Sequence, residues 1–201
     1  MKYNPDGQLY KVTTVFSHFT LLNILYLISC LPIFTIGAAT SALYEVTIRY
    51  ADDEGGELIA GYIRALRTNF VKATGSFLLL LLPMIALLYS SVFWFSAQTI
   101  LASIFAVLLI AVAVYLFIVL VYCLALIGRY ENSFKNTLKN AFLLPLTDPV
   151  RSLGLALIPI TAFCLVVLFP IFKILLLIFG FSFVIYCSSF LLLSVFRKQH
   201  V

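Results

Sequence analysis

Residues 73–128 read ATGSFLLLLLPMIALLYSSVFWFSAQTILASIFAVLLIAVAVYLFIVLVYCLALIG, 56 positions without a Lys, Arg, Asp or Glu. As helix, at about 1.5 Å per residue, the run is about 84 Å long, more than twice a hydrocarbon core of about 30 Å. A single crossing cannot hold it, so the stretch predicts two crossings and a short hairpin. Trp94, Ser96, Gln98 and Thr99 form its most polar part, which places the turn near Ala97–Thr99.

Composition extends the same reading to the whole chain. Of its 201 residues, 63% are hydrophobic and 10% charged, against about 45–50% and about 25% in soluble globular proteins. The mean hydropathy is +1.12. So few charges cannot cover a soluble fold of this size, and so apolar a chain is not disordered. The fold class expected is all-α, a polytopic helical transmembrane bundle forming one membrane domain over residues 1–201. Further charge-free runs separate Lys11 from Glu45, Arg151 from Lys173 and Lys173 from Arg197. Spans are expected at 14–31, 36–50, 73–96, 100–128, 150–169 and 171–195, with loops at 51–72 and 129–149.

The second of these spans is open to two readings. Residues 36–50 are short and fairly polar, and fit either a second crossing or a helix lying at the membrane surface. With six membrane segments and both termini inside, twelve of the thirteen Lys and Arg residues are cytoplasmic. The alternative of five segments moves Lys2 and Lys11 outside, so the positive-inside rule favours six. The formal charge of +5 is then explained by membrane-flanking residues that set orientation and meet anionic lipid, with no nucleic acid required. Residues 1–31 imitate a signal peptide, but the apolar run continues past Cys30 into Leu31-Pro32-Ile33-Phe34 and reads as an uncleaved first span. The expected location is a bacterial plasma membrane.

Both inner loops carry an amphipathic helical pattern. In the first, Ile59, Tyr62, Ile63, Leu66 and Phe70 recur on one face, with Arg64 and Arg67 on the others. In the second, Phe134, Leu138, Ala141 and Phe142 form a stripe beside Lys135 and Lys139. Two cytoplasmic amphipathic helices are therefore expected, lying on the inner leaflet or docking a partner. Asp148-Pro149 reads as a helix N-cap followed by Pro at the first helical position.

Within the spans, Glu45 is the one acid placed in hydrocarbon, and an intramembrane carboxylate is a functional candidate by default. Arg49 lies one turn later on the same face, so a self-contained ion pair is the simpler reading. Gly37 with Ser41 and Ala38 with Ala42 are small-residue pairs suited to close helix packing. Pro83 and Pro159 fall inside spans, and Pro170 marks the last hairpin. Cys30, Cys123, Cys164 and Cys187 are scattered through apolar segments, far from His18 and His200, and read as small buried residues. No nucleophile motif, metal-ligand spacing or phosphate loop is present. The chain is expected to be non-enzymatic, with no cofactor or metal.

One block has a wider resemblance. Residues 23–44, from Asn23-Ile24-Leu25-Tyr26 through Leu31-Pro32-Ile33-Phe34-Thr35-Ile36-Gly37 to Ala42-Leu43-Tyr44, resemble the signature of the YesL-like family of bacterial membrane proteins. Phe70-Val71-Lys72-Ala73-Thr74 and Arg129-Tyr130-Glu131-Asn132-Ser133-Phe134-Lys135-Asn136 are similar to its later motifs. The family has no established biochemical activity. The resemblance implies an accessory role beside a carbohydrate ABC importer, with permease and ATPase subunits as partners. The alternative is an independent small-solute transporter or channel, suggested by Glu45 and the proline-containing spans.

Overall fold

The computed structural model describes residues 8–54 and 56–199, with side chains for 14–54 and 56–198. Lys2, the Lys11 side chain and His200, all noted in the sequence, lie outside the described residues. Every regular element among the described residues is helical: α1 Gln8–Ser29, a 3₁₀ turn Ile33–Thr35, α2 Ile36–Ala51, α3 Leu58–Ser96, α4 Ile100–Arg129, α5 Phe134–Thr147, α6 Pro149–Leu168, α7 Pro170–Leu175, a π-helical segment Leu176–Gly180 and α8 Phe181–Gln199.

Four helices are long and apolar enough to cross a membrane: α3, α4, α6 and the continuous stretch Pro170–Lys198. The apolar part of α1, Thr14–Ser29, is shorter. The 16 residues of α2 span only about 24 Å. Length and composition thus mark four of the six expected spans, those at 73–96, 100–128, 150–169 and 171–195. Lipid-facing character is plain on the α3–α4 hairpin, where Tyr89, Val92, Phe93, Ile100, Leu101, Val107 and Leu108 are exposed. Such a surface is stable against hydrocarbon and not against water.

The hairpin forms as its residues dictate. Thr99 is extended and accepts a hydrogen bond at its hydroxyl from the Ala102 amide (3.3 Å), capping α4. Gln98 takes a positive φ of 51° to turn the chain. Ser133 caps α5 in the same way, from the Asn136 amide. Asp148 ends α5, and Pro149 opens α6 at a position where its missing N–H costs nothing.

The first amphipathic helix is not a separate element. It is the N-terminal part of α3, whose 39 residues extend for about 58 Å. The reason is continuity of pattern. Tyr62, Ala65, Ala73, Phe77 and Leu80 are buried along a single stripe, and no proline falls between Leu58 and Phe77. Pro83 and Pro159 likewise lie inside unbroken helices.

The core is organised around α2, which is neither a lipid-facing crossing nor a surface helix. Eleven of its residues are buried, and it packs on α1, α3, α4 and α8. Small residues make this possible. A Cβ added at Gly37 would meet the Ala73 carbonyl oxygen of α3 at 2.8 Å. One added at Gly128 of α4 would lie 2.7 Å from the Ser41 carbonyl oxygen and 3.0 Å from the Glu45 amide nitrogen. Polar side chains stitch the contacts: the Ser41 hydroxyl donates to the Leu124 carbonyl (2.9 Å), Thr47 pairs with Ser189 of α8 (2.9 Å), and Thr40 pairs with Tyr26 of α1 (3.2 Å). A helix sheathed by protein needs no apolar exterior, which is why α2 is short and rich in Ala, Ser and Thr.

A second polar device sits at the π-helical segment. The fully buried Asn23 of α1 donates to the Leu177 carbonyl (2.7 Å) and the Leu176 carbonyl (3.3 Å), and accepts from the Ser182 amide (3.1 Å). A π-segment disturbs the regular hydrogen-bond ladder, and in an apolar interior the displaced groups need partners. Asn23 supplies three bonds at once. The cysteines are free: Cys123 is buried, Cys30 and Cys187 are half-buried, and Cys164 is exposed on the outer face of α6 rather than buried as expected.

The close approach of α4 to α2 has a measurable consequence. Gly128→Ala is expected to destabilise the protein in denaturant titrations in detergent, by about 1–3 kcal/mol as overpacking typically costs. Gly75→Ala, on the same bundle but with open space around its Cα, is expected to leave stability unchanged or slightly raised.

Candidate functional site

The last two turns of α2, the first turns of α3, the end of α4 and the start of α5 meet at one end of the bundle. They enclose a cleft of about 490 Å³ lined by Glu45, Arg49, Arg64, Thr68, Asn69, Lys72, Arg129, Glu131, Asn132 and Thr137, with Ala65, Ile127, Gly128 and Tyr130 behind them. Each wall has its own local cause. Glu45 and Arg49 are one turn apart on α2. Arg64, Thr68 and Lys72 recur every four residues on α3 and share a face. The α4–α5 link carries Glu131 and Asn132 past them.

Glu45 is the innermost charge of the cleft. Arg49 Nη2 lies 3.2 Å from its Oε1, and Asn69 donates through Nδ2 to its Oε2 at 3.0 Å. Both carboxylate oxygens therefore have a partner, which offsets the desolvation of a largely buried acid. Lys72 reaches the Asn132 carbonyl at 3.4 Å, drawing α3 towards the α4–α5 link. Arg129 turns away from Glu45 and pairs with Asp52 (2.5 Å) and Glu54 (2.6 Å).

Asp52 is the hub of the outer rim. Its other oxygen takes Arg197 from the end of α8 (2.5 Å), so one carboxylate ties the α2–α3 link to α4 and to α8. The hydrogen bond from Arg197, reinforced by the charge of Arg129, holds the Asp52 carboxyl below the usual carboxylate range. Asp148 plays the matching part at the α5–α6 junction, with Arg151 at 3.2 Å and Lys198 at 3.1 Å. Arg197 and Lys198 thus anchor α8 to two different links.

The loop residues singled out in the sequence are divided by the structure. Tyr62, expected on a lipid- or partner-facing stripe, is 1% exposed and packs in the core. Its face of α3 turns towards α2, because the buried stripe runs through Ala65 and Ala73 and not through Ile63 and Phe70. Leu66, Leu138 and Phe142 are half-buried against the core, and the Phe142 carbonyl accepts a 2.6 Å hydrogen bond from Tyr115. Arg64 and Arg67, with Phe70, stay exposed on α3, and Phe134, Lys135 and Lys139 stay exposed on α5. Of this set only Arg64 joins Glu45 and Arg49 in the cleft.

Sequence reasoning missed Asn69, Asp52 and the joining of Lys72, Arg129, Glu131 and Thr137 to one cavity. A signal for Asn69 exists: it is the one polar residue on the otherwise apolar Tyr62–Ala65–Ala73 stripe, and a polar residue there needs a buried partner. Among the described residues no group of three or more His, Cys, Asp or Glu could hold a metal ion.

Residues 19–91 of the chain match a family described as "Protein of unknown function, DUF624". The match runs from α1 through α2 to the outer part of α3. It includes Glu45, Arg49, Arg64, Asn69 and Lys72, and excludes the α4–α5 wall of the cleft. No curated protein and no solved structure matches the chain.

The Asp52 hub carries a pH prediction. A carboxyl whose folded pKa is depressed contributes stability above its unfolded value, and loses it as pH falls through the folded one. Asp52→Asn is therefore expected to destabilise the protein at pH 7. Its deficit relative to the unsubstituted chain is expected to shrink below about pH 4, where an unfolded Asp protonates. Denaturant titrations of both proteins at the two pH values check this.

Proposed function

We propose that this chain is a non-enzymatic, multi-pass subunit of the bacterial plasma membrane that docks on a carbohydrate ABC importer. In this reading α1 and α2 complete six membrane segments, and both termini and the cleft face the cytoplasm. The supporting observation is the exposed mixed surface at the basic end of the bundle. Arg67 and Phe70 on α3, and Phe134, Lys135 and Lys139 on α5, stand free of the core. They stand on helices whose other faces are fixed by packing, which suits a docking platform better than mobile loops would. Their basic and aromatic chemistry suits an acidic or amphipathic partner surface. The resemblance of residues 23–44, 70–74 and 129–136 to YesL-like membrane proteins supports the choice of an importer as that partner.

A second reading, an independent small-solute transporter, draws on the polar cleft around Glu45. The packing argues against it. Gly128 sits so close to Ser41 and Glu45 that not even a methyl group fits between α2 and α4, which closes the floor of the cleft along that seam.

Affinity purification in a mild detergent separates the two readings. Permease and ATPase subunits are expected to copurify, and the triple substitution Arg67→Glu, Lys135→Glu, Lys139→Glu is expected to reduce their recovery without lowering expression. Recovery of the chain alone, under conditions that keep the importer assembled, contradicts docking. Solute flux in reconstituted vesicles that disappears in Glu45→Gln favours transport instead.

A further inference from the structure

The charges lining the cleft are unequally matched. Arg49 is taken by Glu45, and Arg129 by Asp52 and Glu54. Arg64 makes no ion pair among the described residues, and Lys72 makes only the 3.4 Å contact with the Asn132 carbonyl. These two cations lie eight residues apart on α3, about 12 Å along the helix, with the Thr68 hydroxyl between them. The reach of their side chains lets both meet on one group lodged in the cavity.

A carboxylate has two oxygens and one negative charge, too few for two cations and the nearby Asn132 side chain, while the Thr68 and Thr137 hydroxyls donate to the Arg64 and Ser133 carbonyls. A phosphate offers more acceptor oxygens and up to two charges, and pairs well with Arg and Lys. The acids decide what else the ligand carries. Glu45 is fully engaged by Arg49 and Asn69, but Glu131 lines the cleft with no ion pair among the described residues. An unengaged carboxylate repels a bare phosphate and accepts hydrogen bonds from hydroxyls. At about 490 Å³ the cleft falls within the usual range of small-molecule sites, about 300–1,000 Å³.

We infer that this cleft binds a phosphate ester bearing free hydroxyls, with Arg64 and Lys72 on the phosphate and Glu131 on the hydroxyls. The ester is a monoester, which keeps three terminal oxygens and up to two charges; the diester head of phosphatidylglycerol keeps two free oxygens and one charge, no more than a carboxylate. Binding requires no partner chain, so its test is independent of importer docking.

The purified full chain in phosphatidylcholine nanodiscs is titrated with glycerol 3-phosphate and with inorganic phosphate. Vesicles containing phosphatidylglycerol are tested in parallel against vesicles of phosphatidylcholine alone. Saturable binding of glycerol 3-phosphate supports the inference, whereas selective retention of phosphatidylglycerol alone, a diester with one charge, overturns it. Arg64→Ala and Lys72→Ala are each expected to weaken binding about tenfold or more, as loss of a charge-assisted contact implies. Both positions are exposed, so folding is expected to survive, and thermal unfolding of each variant verifies it. Arg67→Ala, on the same helix but outside the cleft, is expected to have no effect. Glu131→Gln is expected to abolish the preference for the ester over inorganic phosphate. Absence of binding to every probe overturns the site. Equal weakening by Arg67→Ala and Arg64→Ala also overturns it, since that pattern marks diffuse surface charge. Inorganic phosphate binding as tightly as the ester to the unsubstituted chain overturns the role of Glu131.

Discussion

Close approach of backbone to backbone around α2 is the constraint on which this structure depends. Apolar side chains gain nothing by leaving lipid for one another, so helices inside a membrane associate through tight packing and polar bonds. The chain follows that rule at its centre. Gly37 lets α3 close on α2, Gly128 lets α4 close on it from another side, and the Ser41, Thr47 and Thr40 hydroxyls bond outward to α4, α8 and α1. Large apolar residues are instead spent on the outer faces of α3, α4 and α6, where lipid is the solvent.

That arrangement also determines where charge resides. The central helix ends among four neighbours, so Glu45 and Arg49 emerge in a confined space and not on open surface. Two of the links at this end carry an acid that gathers cations: Asp52 holds Arg129 and Arg197, and Asp148 holds Arg151 and Lys198. The ends of α4 and α8 are thereby fixed to the links between α2 and α3 and between α5 and α6. A defined cleft, with walls from four helices, is the outcome of satisfying these charges at the rim of an apolar bundle. The same rigidity holds the exposed basic residues of α3 and α5 in place on the surface.

Local chemistry was legible in the sequence and tertiary chemistry was not. The hairpin at Ala97–Thr99, the start of α6 at Pro149 and the break before Pro170 follow from residues that act on their own backbone. The continuity of α3 is hidden because Arg64, Arg67 and Lys72 look like loop charges, although the buried stripe continues on the helix face opposite or beside them. Shortness and polarity in residues 36–50 fit a surface helix as well as a second crossing, and neither reading contains the sheathing by four neighbours. Only contacts with residues far along the chain, such as Ala73 and Gly128, reveal it. The π-helical segment had no local signal at all, since it is stabilised by Asn23 from the opposite end of the sequence. In the cleft, Glu45 and Arg49 could be paired from spacing alone, whereas Asn69, Lys72, Arg129 and Glu131 are assembled by the fold. Tyr62 shares a helical apolar pattern with Ile63 and Phe70, yet those two point outward and Tyr62 does not.

Photolabelling in the bilayer tests the central place of α2 most directly. A small apolar carbene precursor dissolved in lipid is activated around the reconstituted protein, and modified residues are located by mass spectrometry. The exposed positions of α4 between Ile100 and Val114, and of α6 between Leu153 and Leu168, are expected to be heavily labelled, while residues 38–48 of α2 remain unmodified. Labelling of residues 38–48 on a helical period, at a level comparable to α4, contradicts a protein-sheathed α2 and with it the geometry of the cleft.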